Sequence, residues 1–431
     1  MAPRPVAHSV PEIEGQLGKL WARAAVARAE AAKAEAALIA AQAEAAARAA
    51  AALAAAGETG DGAVSHVAAR TSVLNLVVIA GDEEAAHRCA ATITATATRH
   101  ASRSLILSAV DPNGPAGLEA HIEALSMATA SGRAETGAET IHVTAHGETG
   151  MHLASIIVPL LVHDLPVALW WPADPPFGSH RADRLLPIAD RLIVDGSAWT
   201  GDGLGILGQL ALAVEQRHVV VADWALLRQA RWREAIASVY DLPDLRPHLG
   251  AVRRISVHYA AAATKEAVWD TNVVRPLYHV AWLASRLGMT VVAPIRRDGE
   301  GRRVATLKQK DHEVAVVLQP AESNLGAGST VKVEITSRLR GAELVGSITA
   351  DDRTVEVSIL ADGRERVRRT YAAPRLTDVD LLGLAVEEGA ADPIAVHALG
   401  TAHRLLGVES VSPKGATGAG QRAGIRSQAN D

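Results

Sequence analysis

The sequence predicts an α/β protein: a long Ala-rich helix, then a Rossmann-like domain on a mostly parallel sheet, then an α+β domain with an antiparallel sheet. Three observations point there. Between residues 70 and 250, short apolar runs alternate with helical patterns, as strands buried on both faces and their crossover helices do. Beyond residue 252 come short strands of alternating polarity divided by turn signals, the mark of antiparallel pairing. Before residue 57 the chain is mostly Ala with Glu, Lys and Arg, and Ala has the best intrinsic helix propensity.

The boundaries that follow are 1–62 (helix and linker), 63–251, 252–411 and a Gly/Ser/Gln-rich tail, 412–431, expected to be disordered. In the first segment, Glu44 and Arg48 stand at i, i+4 and Glu30 and Lys33 at i, i+3, both favourable. Leu17, Leu20 and Leu38 share a heptad seam with Ala24, Ala27, Ala31 and Ala34, too shallow for an obligate coiled coil. A solvated helix or docking arm is expected, followed by the flexible linker Gly57–Gly62.

Parallel strands are predicted at 73–80, 105–110, 167–171, 192–195 and 219–223, with helices at 83–100, 148–163, 181–189, 204–216 and 225–240. Leu118, Ala120, Ile122 and Ala124 alternate with polar residues, as do Ile141, Val143 and Ala145, which predicts an antiparallel hairpin on that sheet. In the third segment, strands are expected at 255–260, 303–307, 313–318, 331–336, 344–349, 354–360 and 366–372. Helices are expected at 271–287, 376–387 and 393–406.

Composition excludes several classes. The 431 residues are 48% hydrophobic and 21% charged, ordinary for a globular protein. A net charge of −5 argues against nucleic acid as the main partner. Met1-Ala-Pro-Arg-Pro has no apolar signal core, so a cytoplasmic protein is expected. The apolar run from Leu153 to Trp171 is broken by His163, Asp164 and Pro166, which reads as helix then strand rather than a membrane span. Cys89 is the single cysteine, so no internal disulfide can form, and its helical setting reads as a small buried hydrophobe.

Aromatic residues are 3% of the chain, yet five of its 8 Trp fall between Trp170 and Trp232: Trp170, Trp171, Trp199, Trp224 and Trp232. Trp170 and Trp171 are adjacent on a strand and must point to opposite faces. Pro172 stops that strand, and Phe177 follows in a turn at its carboxyl end. Asp195, Ser197 and Trp199 follow the next strand to the same rim, with Trp232 and Arg233 on a neighbouring helix. This set is the candidate partner- or ligand-binding rim, since ligands of open α/β sheets gather at that end. Burial as core plugs is the competing reading for each Trp.

Catalytic motifs are weaker. Gly203, Gly205 and Gly208 form the dinucleotide fingerprint, with Asp223 about 20 residues beyond the first glycine. The fingerprint sits late in the domain, and Gly196–Asp202 intervene between strand and glycine, so no cofactor is expected there. His142, His146 and His152 lack a carboxylate or Cys at ligand spacing, so no metal is expected. No combination of acid, base and substrate cradle assembles.

Three segments in order carry a family resemblance. They are Ile157-Val-Pro-Leu-Leu-Val-His-Asp-Leu-Pro-Val-Ala-Leu-Trp-Trp-Pro172, Ala189-Asp-Arg-Leu-Ile-Val-Asp-Gly-Ser197 and Arg231-Trp-Arg-Glu-Ala-Ile-Ala-Ser-Val-Tyr-Asp241. With Arg99-His-Ala-Ser-Arg103, they resemble the glucose-6-phosphate dehydrogenase assembly protein OpcA family over roughly residues 70–405. Departures are Ala101 for a usual Pro, Gly196 for a usual Ser, and Asp223-Trp-Ala-Leu-Leu-Arg-Gln for a more Asn/Thr-rich run. The resemblance implies a non-catalytic factor of the oxidative pentose phosphate pathway, whose partner is glucose-6-phosphate dehydrogenase. It would act by binding and stabilising the dehydrogenase's active oligomer. The alternative is a nucleotide- or sugar-phosphate-binding enzyme on the α/β domain. The chain's own oligomeric state is open.

Overall fold

The computed structural model describes residues 6–20, the single positions 22, 26, 33 and 37, and residues 73–407 apart from 98, 129–133, 218, 262–264 and 388–391. Most of the expected Ala-rich helix, the linker and the tail lie outside the described residues. Residues 10–20 are helical. Ahead of them Ala7 pairs with Ala120 in a single antiparallel bridge, and Ile13 and Leu17 are buried in the main core. The start of the helix therefore docks on the first sheet.

Seven strands form that sheet: β1 (Leu74–Ala80), β2 (Ser102–Val110), β3 (Gly117–Ala128), β4 (Ala134–His146), β5 (Val167–Trp171), β6 (Arg191–Val194) and β7 (Val220–Asp223). Their order is β3-β4-β2-β1-β5-β6-β7. The β3–β4 hairpin is antiparallel, as expected, and the other pairs are parallel. β1 and β5 are buried at every position, as central parallel strands covered on both faces must be. Helices α1 (Glu83–Thr96), α2 (Leu153–Leu160), α3 (His180–Leu185), α4 (Leu204–Arg217), α5 (Trp224–Leu227) and α6 (Ala230–Val239) connect or follow the strands.

The second sheet has eight strands: β8 (Val252–Ala260), β9 (Thr290–Arg297), β10 (Arg303–Gln309), β11 (His312–Ala321), β12 (Thr330–Leu339), β13 (Ala342–Ala350), β14 (Thr354–Ala361) and β15 (Arg364–Ala372). Their order is β15-β14-β13-β12-β8-β11-β10-β9, antiparallel except for β8 with β11. Asp362 and Gly363 turn β14 into β15 with φ of 47° and 75°, the left-handed pair that a two-residue hairpin requires. Strand β9 was not anticipated. It lies on the sheet edge with Pro294 inside it, and an edge is where a strand tolerates a missing N–H.

Helices α7 (Lys265–Asp270), α8 (Val274–Arg286), α9 (Asp378–Glu387) and α10 (Pro393–Leu405) complete the described elements. One core runs through both sheets, taking in Leu169 and Trp171 from the first, Leu207 from α4, and Tyr259, Val333 and Ile348 from the second. The opposite face of the first sheet has its own core, where Val78, Cys89, Ile93 and Trp170 meet Leu381 and Leu382. Helix α9 thus crosses back to pack on α1, and Arg191 donates to the Ala385 carbonyl there. α8 is the most deeply buried helix, with Tyr278 and His279 fully enclosed. No helix among the described residues is long and apolar enough to cross a membrane.

Candidate functional site

The carboxyl ends of β6 and β7 meet the N-terminal turns of α8, and two polar assemblies form there. The first centres on Asp223, the last residue of β7, which is 3% exposed. Its Oδ1 accepts from the backbone N–H of Gly196 at 2.9 Å and of Ala225 at 2.8 Å, and Tyr278 donates to Oδ2 at 2.8 Å. Burial pushes its carboxyl up to about 6, against the pull of those donors. A Cβ at Gly196 would lie 2.8 Å from Asp223 Oδ2 and 2.9 Å from Val274 Cγ1, so this chain's glycine is what allows the close approach.

The second assembly is a pocket of about 210 Å³ lined by Arg228, Gln229, Arg231, Trp232, Arg275, His279, Ser329, Thr330, Arg375 and Leu376. It contains four arginines and no carboxylate. Arg228 pairs with Asp195 at 2.7 Å and Asp378 at 3.3 Å, and Arg375 pairs with Asp352 at 2.9 Å. Among the described residues, Arg231 donates only to the carbonyls of Ala373 and Asp351, at 2.6 and 2.7 Å. Arg275 donates to the hydroxyls of Ser197 at 3.1 Å and Ser329 at 3.3 Å. Burial and the nearby Arg228 lower the Arg275 guanidinium to about 10. His279, one turn along α8 from Arg275, is fully buried and held neutral, its pKa lowered to about 3 by burial and by Arg233 and Arg275.

The expected rim residues separate by depth. Trp170, Trp171, Trp199 and Trp232 are each 5% exposed or less. Trp170 faces the outer core and Trp171 the main core, as their adjacency requires. Trp170 stacks tilted on Trp224 at 5.0 Å, Trp171 meets Phe177 edge-on at 6.0 Å, and Trp232 meets His279 at 5.3 Å. Of the expected set only Phe177, Ser197 and Arg233 remain half-exposed. Asp195 is buried, accepting from Ser197 and bound to Arg228.

The first glycine of the fingerprint is spent on packing. Gly203 has φ of 73°, and a Cβ there would lie 2.7 Å from Val274 and 2.8 Å from Asn272. Asp202 accepts from Leu204 N–H at the start of α4 and pairs with Arg303, placing a carboxylate where a pyrophosphate would sit. At the true switch point, between β1 and β5, the first turn reads Gly81-Asp-Glu-Glu84. Asp82 caps α1, and Glu83 and Glu84 add negative charge in its first turn. Asp202 is neutralised by Arg297 and Arg303, whereas the acidic first turn of α1 disfavours a phosphate at the switch point.

Sequence reasoning missed Arg228, Arg231, Arg275, Thr330 and Arg375. One signal was available: Arg275 and His279 stand at i, i+4 in an otherwise apolar helix, which is how a polar stripe aimed at a buried pocket reads. The quoted Arg231-Trp232 pair of the third family segment lies in this pocket.

Comparison with known proteins places the chain. The family model described as glucose-6-phosphate dehydrogenase subunit N-terminal domain matches residues 93–210, and its C-terminal counterpart matches residues 219–399. A provisionally named OxPP cycle protein OpcA of Synechocystis sp. is 32% identical over 141 residues, covering 33% of this chain and 27% of that protein. A protein of the same name from Nostoc punctiforme is 30% identical over 148 residues, covering 34% and 30%. The matched stretch thus spans less than a third of either relative. Among solved structures, the WlbA dehydrogenase of Thermus thermophilus with NAD and α-ketoglutarate has a TM-score of 0.39 at 12% identity, covering 79% of this chain and 97% of that one. The regulator Gal80p of Kluyveromyces lactis has a TM-score of 0.40 at 10% identity, covering 79% and 88%.

Proposed function

Because the chain belongs to the OpcA family of glucose-6-phosphate dehydrogenase assembly proteins, we propose that it is a non-catalytic, cytoplasmic factor that binds glucose-6-phosphate dehydrogenase and stabilises its active oligomer. The observation that carries this is the succession of the two family domains in order along the chain. The polar chemistry of the sheet end supports it. Asp223 and Asp202, which occupy the positions of a dinucleotide site's ribose and phosphate contacts, are engaged internally. A protein that binds only the assembled dehydrogenase shifts the equilibrium towards it by its differential affinity.

The contact surface in this reading is the rim around Phe177, Ser197 and Arg233, braced from behind by the buried tryptophans. The test is titration of the purified protein into the cognate dehydrogenase. Dehydrogenase activity rises saturably while light scattering reports a larger or longer-lived oligomer, and this chain alone turns over nothing. A flat titration, or turnover without the dehydrogenase, overturns the proposal.

A further inference from the structure

We propose that the arginine pocket between α5, α6, α8 and the start of β12 binds the phosphoryl group of a small phosphate monoester, with Arg231 and Arg275 as its principal ligands. The lining is wholly cationic in its charged members, and two of the four guanidinium groups already have carboxylates. Arg231 and Arg275 do not. Their hydrogen-bond partners are backbone carbonyls and serine hydroxyls, and the carboxylates that act on them, Asp351 and Asp352 on Arg231 and Asp195 and Asp223 on Arg275, do so from beyond contact distance. Four cations gathered around one cavity repel one another, and a dianion between them reverses the sign of that interaction.

The buried polar atoms point the same way. Arg275 Nε, Thr330 Oγ1, Gln229 Oε1 and both ring nitrogens of His279 have no hydrogen-bond partner among the described residues. Thr330 is 7% exposed, Gln229 2% and His279 0%, and all three line the cavity. Buried polar groups are rarely left unpaired without a reason, and here they converge on one space. The other such atoms among the described residues, on four tryptophans, four histidines and Tyr240, belong to residues outside this lining.

Chemistry and size narrow the ligand. Guanidinium forks match phosphate oxygens bidentately, Thr330 and neutral His279 can each donate one further bond, and Gln229 Oε1 and the other His279 nitrogen can accept from a hydroxyl. A ligand carrying both phosphate and hydroxyl groups, such as a sugar phosphate, therefore uses the lining better than a bare anion. At about 210 Å³ the cavity falls below the usual range for drug-sized ligands, which suits a sugar phosphate better than a whole dinucleotide.

The inference is independent of the role toward the dehydrogenase, because it is tested on this chain alone. The full-length protein is titrated calorimetrically, in a chloride buffer without phosphate or sulfate, with a hexose 6-phosphate, a triose phosphate, inorganic phosphate, glucose and NADP. Saturable binding of a sugar phosphate, with inorganic phosphate weaker and glucose silent, is the expected result. Arg275→Gln and Arg231→Gln each raise Kd by about tenfold or more, the size expected for a lost charged hydrogen bond. Arg217→Gln, outside the pocket, leaves it unchanged, with urea midpoints confirming that all variants fold. The proposal is overturned if no phosphate ester binds saturably, if inorganic phosphate alone binds, or if both pocket variants, folded, keep wild-type affinity.

Discussion

Helix α8 presents two faces to the sheet end, and they differ in one respect. Tyr278 reaches Asp223, where both carboxylate oxygens have protein partners. Arg275 and His279, on the neighbouring face, border a cavity where polar atoms do not. Both regions are buried and charged, so burial alone does not distinguish a structural polar cluster from a binding one. Satisfaction does. A closed network spends its hydrogen-bonding capacity on the fold, whereas an open one lining a space keeps it for a ligand.

The largest effect that sharpens this contrast is at Asp223. Asp223→Ala removes the acceptor of two backbone N–H groups and of Tyr278 O–H, all buried, and each orphaned donor costs about 1–3 kcal/mol. A loss of about 3 kcal/mol or more in urea unfolding is expected. Arg275→Gln should cost under about 1 kcal/mol, because it also relieves like-charge crowding. Equal losses at the two positions would erase the distinction between the regions.

Much of the fold was legible in the sequence, and the reasons are local. Val167–Trp171 has the length and apolar content of a strand, and Asp362-Gly363 needs left-handed backbone, so their roles follow from short-range physics. β9 escaped because Pro294 interrupts an edge strand exposed along much of its length. The depth of Trp170 depends on Leu381 and Leu382, some 200 residues away, which no periodicity near Trp170 reports. Of the residues expected at the rim, Trp232 lines the pocket, and Asp195 and Ser197 bond to its Arg228 and Arg275. The pocket's arginines come from three separate stretches, around 228–231, 275 and 375, and its hydroxyls from a fourth at 329–330, and only the meeting of the two sheets gathers them. Gly203 and Asp223 matched a spacing whose meaning depends on which atoms already occupy their surroundings.

The next effect in size is a pH dependence from His279. Its folded pKa, about 3, lies below its ordinary 6.5, so the folded protein binds fewer protons than the unfolded chain in that interval. The stability it contributes is present above pH 6.5 and is lost as pH falls towards 3, by about 1.4 kcal/mol per pH unit. Asp223 has the opposite sign. Its pKa is raised from 3.8 to about 6, so its contribution is present below 3.8 and lost as pH rises through 6. Wild type thus mixes the two between about pH 4 and 6, and a comparison with His279→Phe separates them. Urea unfolding at pH 7, 6 and 5 should show wild type losing ground steadily to the variant on acidification. Parallel curves would mean that His279 binds protons equally in the folded and unfolded protein, which would overturn its depressed pKa.

The smallest effects lie within the glycine fingerprint itself. In a dinucleotide site the first glycine closes a turn and the second lets the backbone approach a pyrophosphate. Here Gly203 combines φ of 73° with a Cβ position only 2.7 Å from Val274, while a Cβ at Gly205 would meet nothing within 4 Å. Packing against Asn272 and Val274 therefore accounts for the first glycine, and no protein group accounts for the second. Gly203→Ala should cost about 1–2 kcal/mol, from a left-handed alanine and the forced shift of Val274. Gly205→Ala should change stability by under about 0.5 kcal/mol, or raise it slightly, because alanine loses less entropy in the first turn of α4. Its effect on binding decides more than its effect on stability. If Gly205→Ala leaves sugar-phosphate titrations and dehydrogenase activation intact while Arg275→Gln abolishes the former, the working end of the sheet is the arginine pocket. If Gly205→Ala weakens the binding of any phosphate, the ligand approaches α4 after all, and the assignment of the two regions must be exchanged.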